Sequence, residues 1–149
     1  MFHMRTKTML ILRCSSSASS IHELVKLAAG MLVLKPDAAR TKKELEFAFF
    51  LADQEFAQGT NISGKLSNEA MLFLANETNF SSAARKAGAK SCRDFVLISK
   101  ENVPIGKLKR VLLLTRVKKL DLPEWGKKKE EYYDWELAVE RMALSRIRN

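Results

Sequence analysis

The stretch TKKELEFAFFLADQEF, residues 41–56, decides the fold. Thr41 followed three residues later by Glu44 forms a capping box: the hydroxyl takes a first-turn amide while the carboxylate reaches back to the amide of the cap. Beyond it Leu45, Ala48, Phe49, Ala52 and Phe56 recur at steps of three and four. The spacing predicts a helix over Lys42 to Phe56 with one broad apolar face, which has to be buried against another layer.

The segments on either side supply that layer. QGTNISGKL, residues 58–66, places Gly59, Gly64 and Lys65 at the spacing of a Walker loop. Leu66 stands where a Ser or Thr would hold magnesium, and the segment follows a helix rather than a strand, so it reads as a connector. Ser67 is read as the cap of a helix over Asn68 to Asn76, with Glu69 favourable in its first turn. Asn79 or Ser81 opens a further short helix closed by Gly88. Upstream, TMLILR (Thr8 to Arg13) and MLVL (Met31 to Leu34) predict strands. Between them Ser20 and Glu23 cap a helix that runs to Ala29 and ends at Gly30. Phe95 to Ile98 predicts another strand. Lys107 to Lys119 fits a basic helix or a helix running into a strand, and Pro123 and Gly126 interrupt the chain beyond it. The expected class is therefore α+β: a small, mostly antiparallel sheet packed with several helices, helix-rich, in one domain over residues 1–149.

A last helix is expected over Lys129 to Ile147, and it has two apolar sides. Tyr133, Leu137 and Leu144 cluster on one; Trp135, Val139, Met142 and Ala143 cluster roughly opposite, with Ile147 between. Two faces suit a helix that packs at home on one side and meets a partner on the other. A helix buried between two layers gives the same pattern.

Composition narrows the function. The chain has 149 residues, 46% hydrophobic and 29% charged, which suits a globular domain and excludes disordered, collagen-like and coiled-coil classes. Its longest apolar runs, Phe47 to Ala52 and Ala70 to Ala75, have six residues each and are too short to span a bilayer. Met1 to Leu12 imitates a signal peptide, but its apolar part, Met9 to Leu12, is too short, and a cytoplasmic location is expected. Cys14 and Cys92 stand far apart, and His3 and His22 are the only imidazoles, so neither a metal site nor a catalytic histidine is indicated. No nucleophile elbow, metal-binding His pair or kinase loop is present; the chain reads as a binding module that needs no cofactor.

Charge is unevenly placed. Residues 1–74 carry a net +2, whereas residues 100–129 carry ten Lys and Arg against three acids, a net +7. Such a run is either a solvated face or a polyanion footprint, since clustered cations gain free energy by releasing phosphate counterions.

Four segments carry a resemblance: TKKELEFA (Thr41 to Ala48), LSNEAMLFL (Leu66 to Leu74), NFSSAARKAGA (Asn79 to Ala89) and ELAVERMALSRI (Glu136 to Ile147). Together, 40 residues in this order, they resemble the kinase-binding subunit of the KEOPS complex, the TPRKB-like family, in its short archaeal-type form. The region between Glu101 and Glu131 and the Ser15 to Ser20 run depart from the family. The resemblance implies an α+β fold and a non-catalytic role in forming threonylcarbamoyladenosine (t6A) in tRNA. Such a subunit binds the atypical kinase/ATPase of the complex, stands indirectly linked to the threonylcarbamoyl-transferase subunit, and helps recruit tRNA through its 3′ CCA end. The family's kinase contact involves the C-terminal helix, which points to Trp135, Val139, Met142, Ala143 and Ile147. Apolar and aromatic side chains dominate buried interface centres. Near the matched segments Lys65, Arg85 and Lys86 are expected on tRNA phosphates, joined by Lys107, Lys109, Arg110, Lys118 and Lys119. Two other readings stand beside this one: a generic basic RNA-binding domain, and a small enzyme using Asn61, Ser63 or Glu69.

Overall fold

The computed structural model describes residues 9–38, 40–123 and 135–146, with 135–139 given by the backbone alone. These residues form two compact units, one holding residues 9–38 with 88–121 and the other residues 40–87 with 122–123 and 135–146.

The first unit is a four-stranded sheet of β1 (Leu10–Ser16), β2 (Leu32–Leu34), β3 (Phe95–Ser99) and β4 (Leu114–Lys119), in the order β2-β3-β1-β4. Every neighbouring pair is antiparallel. Leu10, Leu12, Cys14, Val33, Phe95 and Leu97 share one sheet face and pack with Leu24 of α1 (Ile21–Leu27) and Leu108 of α5 (Ile105–Val111). Ile11, Leu32, Leu34, Val96 and Ile98 occupy the opposite face and are also buried. Burial on both faces explains why MLVL and FVLI read as unbroken apolar runs instead of alternating. β4 is the exposed edge, and its charged residues suit a strand whose free side must not recruit another.

Two expectations change here. β1 continues past Arg13 through Ser16, because its serines are satisfied inside the fold. The Ser16 hydroxyl donates to the Leu112 carbonyl at 2.7 Å and accepts the Ala18 amide at 3.0 Å. Of the two readings of Lys107 to Lys119, the helix running into a strand is the one formed. Leu113, at φ +56°, takes the left-handed conformation that turns α5 into β4.

The second unit is helical. α2 (Lys42–Gln58) starts at its predicted cap, with the Glu44 amide donating to Thr41 Oγ1 at 3.1 Å, and ends at Gly59 with φ +72°. Leu45, Ala48, Phe49 and Ala52 are buried as the stripe requires, whereas Phe56 is 36% exposed. Burial on α2 also takes in Glu44 and Glu46; Glu46 pairs with Lys43 at 3.3 Å. α3 (Leu66–Ala75) begins one residue before Ser67, so Ser67 is a buried first-turn residue and not the cap. α4 (Phe80–Ala87) resolves the other open start: Asn79 Oδ1 accepts the Ser82 amide at 3.1 Å, leaving Ser81 inside the helix.

α6 (Trp135–Leu144) falls within the expected C-terminal helix. Just beyond it Arg146 is clamped. Its Nη1 lies 2.9 Å from Glu55 Oε1 on α2, its Nη2 lies 2.8 Å from Glu69 Oε2 on α3, and its guanidinium sits 4.3 Å from the Phe73 ring centroid. The contact with Glu69 is a close ion pair and not an aligned hydrogen bond. Among the described residues no helix is long and apolar enough to cross a membrane.

Candidate anion-binding site

The sheet register assembles a group of cations that are distant in sequence. In an antiparallel pair, directly opposite residues share a face. Arg13 of β1 pairs with Lys118 of β4, and Ser15 pairs with Arg116, so three cations emerge on one side of these two strands. Arg93 and Asp94, in the turn that leads into β3, complete the wall of an open cleft of about 650 Å³. Arg93 donates from Nη1 to the Ser16 carbonyl and is thereby drawn to the end of β1.

One carboxylate faces these four cations. Arg13 grips Asp94 through both arms of its fork, Nε to Oδ1 at 2.9 Å and Nη2 to Oδ2 at 2.8 Å. The hydrogen bonds from Arg13, with the charges of Arg13 and Arg116, hold the Asp94 carboxyl below its ordinary range; the Arg13 guanidinium is correspondingly more firmly protonated. A cleft with a surplus of positive charge and rigid donors on a sheet has the chemistry to hold phosphates or carboxylates. The Cys14 side chain belongs to the core on the other face, where burial pushes its thiol up to about 12.

The residues expected on tRNA are all exposed, and they divide between the units. Lys65, Arg85 and Lys86 stand on the helical unit, Lys86 in an ion pair with Glu77 at 2.5 Å. Lys107, Lys109 and Arg110 stand on α5, and Lys118 and Lys119 on β4. Of these, Lys118 alone lines the cleft. The basic residues at 127–129 lie outside the described residues. Sequence reasoning passed over Arg13, Arg93 and Arg116 as site residues. The available signal was Arg13 itself, a lone charge closing the apolar run TMLIL.

The residues expected on the kinase also need revision. Met142 is 2% exposed and belongs to the core of the chain, so it is not offered to a partner. Ala143 is exposed, and so is Leu144 at 38%, which the helical wheel groups with Tyr133 and Leu137, opposite the residues expected on the kinase. Ile147 and the side chains of Trp135 and Val139 lie outside the described residues.

The groups considered for catalysis are engaged in building a loop. Asn61 Nδ2 donates to the Ser63 carbonyl at 2.8 Å, and Glu69 accepts the amides of Ile62 at 3.1 Å and Ser63 at 2.7 Å. Among the described residues no cluster of His, Cys, Asp and Glu could hold a metal ion. No family model matches the chain, and no curated protein matches it.

Proposed function

We propose that this chain is a non-catalytic subunit of a KEOPS-type tRNA-modification complex. It binds the atypical kinase/ATPase subunit through its C-terminal helix and helps bring tRNA to the complex for t6A formation in the cytoplasm. The resemblance of four ordered segments to the kinase-binding subunit motivates the reading, and one observation carries it. The C-terminal helix is locked to the helical unit through Met142 and the Arg146 clamp, while Ala143 and Leu144 stay exposed on its outer side. A helix fixed in place with small and apolar residues facing outward is a preorganised docking element, and preorganisation lowers the entropic cost of association.

The basic cleft supports the tRNA half of the reading. Titration of labelled tRNA with the protein tests it, using transcripts with and without the 3′ CCA end. Salt-dependent binding that weakens at least about tenfold on removal of CCA is expected, since stacking on bases contributes about 1–3 kcal/mol each. Equal affinity for both transcripts would favour a generic basic RNA-binding domain, for which the cleft is also suited.

A further inference from the structure

The cleft contains an electrostatic conflict that folding alone would avoid. Like charges directly opposite on neighbouring strands repel, and Arg13 and Lys118 are such a pair. Asp94 relieves it in part: both of its oxygens are bonded to Arg13, and Arg116 is felt only through its charge. Arg116 and Lys118 make no side-chain hydrogen bond or ion pair among the described residues. Four cations balanced by a single carboxylate mark a place where an outside anion completes the arrangement.

The chemistry of that group can be read from the walls. Four cations spread over two strands and a turn, around about 650 Å³, exceed what one small anion needs. None of the described lining residues is aromatic, so bases find no stacking platform on them. A lipid headgroup layer is flat and is usually met by cations flanked with apolar side chains that insert; here the cations line a recess. Concave, cationic and without aromatic surface, the cleft fits a polymer recognised by its phosphates.

We propose that the cleft seats the phosphodiester backbone of RNA, with Arg116 and Lys118 receiving phosphates and Asp94 serving as a resident counter-ion that holds Arg13 until a phosphate replaces it. The assignment rests on the RNA-binding half of the function proposed above and gives it a location and a mode: contact with phosphates, without reading of bases. Phosphate contacts of this kind fix register and orientation, and any preference for the 3′ end comes from other residues.

Fluorescence anisotropy of labelled tRNA across a salt series tests this, with wild type, R116Q/K118Q and D94N. The two replaced cations are exposed on an edge strand, and circular dichroism verifies that the fold is kept. Loss of two phosphate contacts should weaken binding at least about tenfold at low salt and reduce the slope of log affinity against log salt by about 1.5. D94N frees Arg13, so binding should tighten about threefold and the slope should steepen by somewhat less than one. Oligo(A) and oligo(U) of equal length, which lack the CCA end, should bind within about threefold of each other, because no base is stacked in the cleft. If R116Q/K118Q binds tRNA with the wild-type slope, RNA lies elsewhere; the cleft assignment falls and the proposed function stands. If the wild type binds no tRNA, both fall. If R116Q/K118Q loses binding to phosphatidylglycerol vesicles and keeps its RNA affinity, the cleft is a lipid site and the RNA assignment is refuted.

Discussion

Arg13 and Lys118 stand directly opposite each other on β1 and β4, and Asp94 holds Arg13 by a two-pronged contact of 2.9 and 2.8 Å. The three side chains come from positions 13, 94 and 118, and only the sheet order β2-β3-β1-β4 brings them together. A basic edge strand also discourages pairing with another sheet, which by itself accounts for one or two exposed lysines on β4. It does not account for cations gathered around a recess next to that edge.

Two buried or paired carboxyls give stability opposite dependences on pH. Asp94 is held below its ordinary value of 3.8, so its ionised form favours the fold; that contribution is present above 3.8 and is lost as pH falls through the native value. Glu44 is raised above 4.5 by burial, against the opposing pull of Arg40 and Thr41. Its protonated form favours the fold, so its contribution is present below 4.5 and is lost as pH rises through the native value. Urea midpoints measured over this range should lose their acid-side fall in D94N and their fall above 4.5 in Glu44→Gln, which keeps the capping geometry. Curves identical to wild type would contradict both assignments.

Arg146 ties the C-terminal segment to α2 and α3. Arg146→Ala leaves Glu69, which is fully buried, without its counter-cation and removes the guanidinium from Phe73. Breaking a buried pair on one side costs about 3–5 kcal/mol. A loss near the lower end of that range is expected in urea unfolding, because the Ile62 and Ser63 amides still serve Glu69. A loss below about 1 kcal/mol would mean that the pair is screened as a surface pair is.

Met142 and Leu144 separate folding from docking on one helix. Met142→Glu places a charge in the core and should cost about 3 kcal/mol or more, so it unfolds the protein before it reports on any partner. Leu144→Glu changes an exposed position and should cost less than about 0.5 kcal/mol. The same variant should weaken kinase binding at least about tenfold, as a truncated interface anchor does. Melting temperature and kinase affinity, measured together on both variants, check the distinction.

Much of the fold was legible in local chemistry. Thr41 and Glu44 announced α2, Ser20 and Glu23 announced α1, and the apolar runs at 31–34 and 95–98 announced the central strands. What local chemistry could not give was any fact that depends on pairing. Ser15 and Ser16 look like a loop until the Leu112 carbonyl is brought to Ser16 from 96 residues away. Ser67 looks like a cap until Glu69 is seen holding the loop before it. The cleft was hidden for the same reason: Arg13 meets Asp94 across 81 residues, and no periodicity reports a strand register. On the last helix the wheel found two apolar sides, but which side packs inward is decided by α2 and α3, and the structure buries Met142.

Calorimetric titration of this protein with the KEOPS kinase/ATPase subunit of the same organism tests the kinase-binding assignment most directly. A one-to-one complex with Kd below about 1 μM, equivalent to more than about 8 kcal/mol of binding free energy, is predicted for the wild type. Leu144→Glu should then lose at least about tenfold in affinity with its melting temperature unchanged. Absence of any heat of binding at several temperatures, with both proteins folded, would contradict the assignment to a kinase-binding subunit.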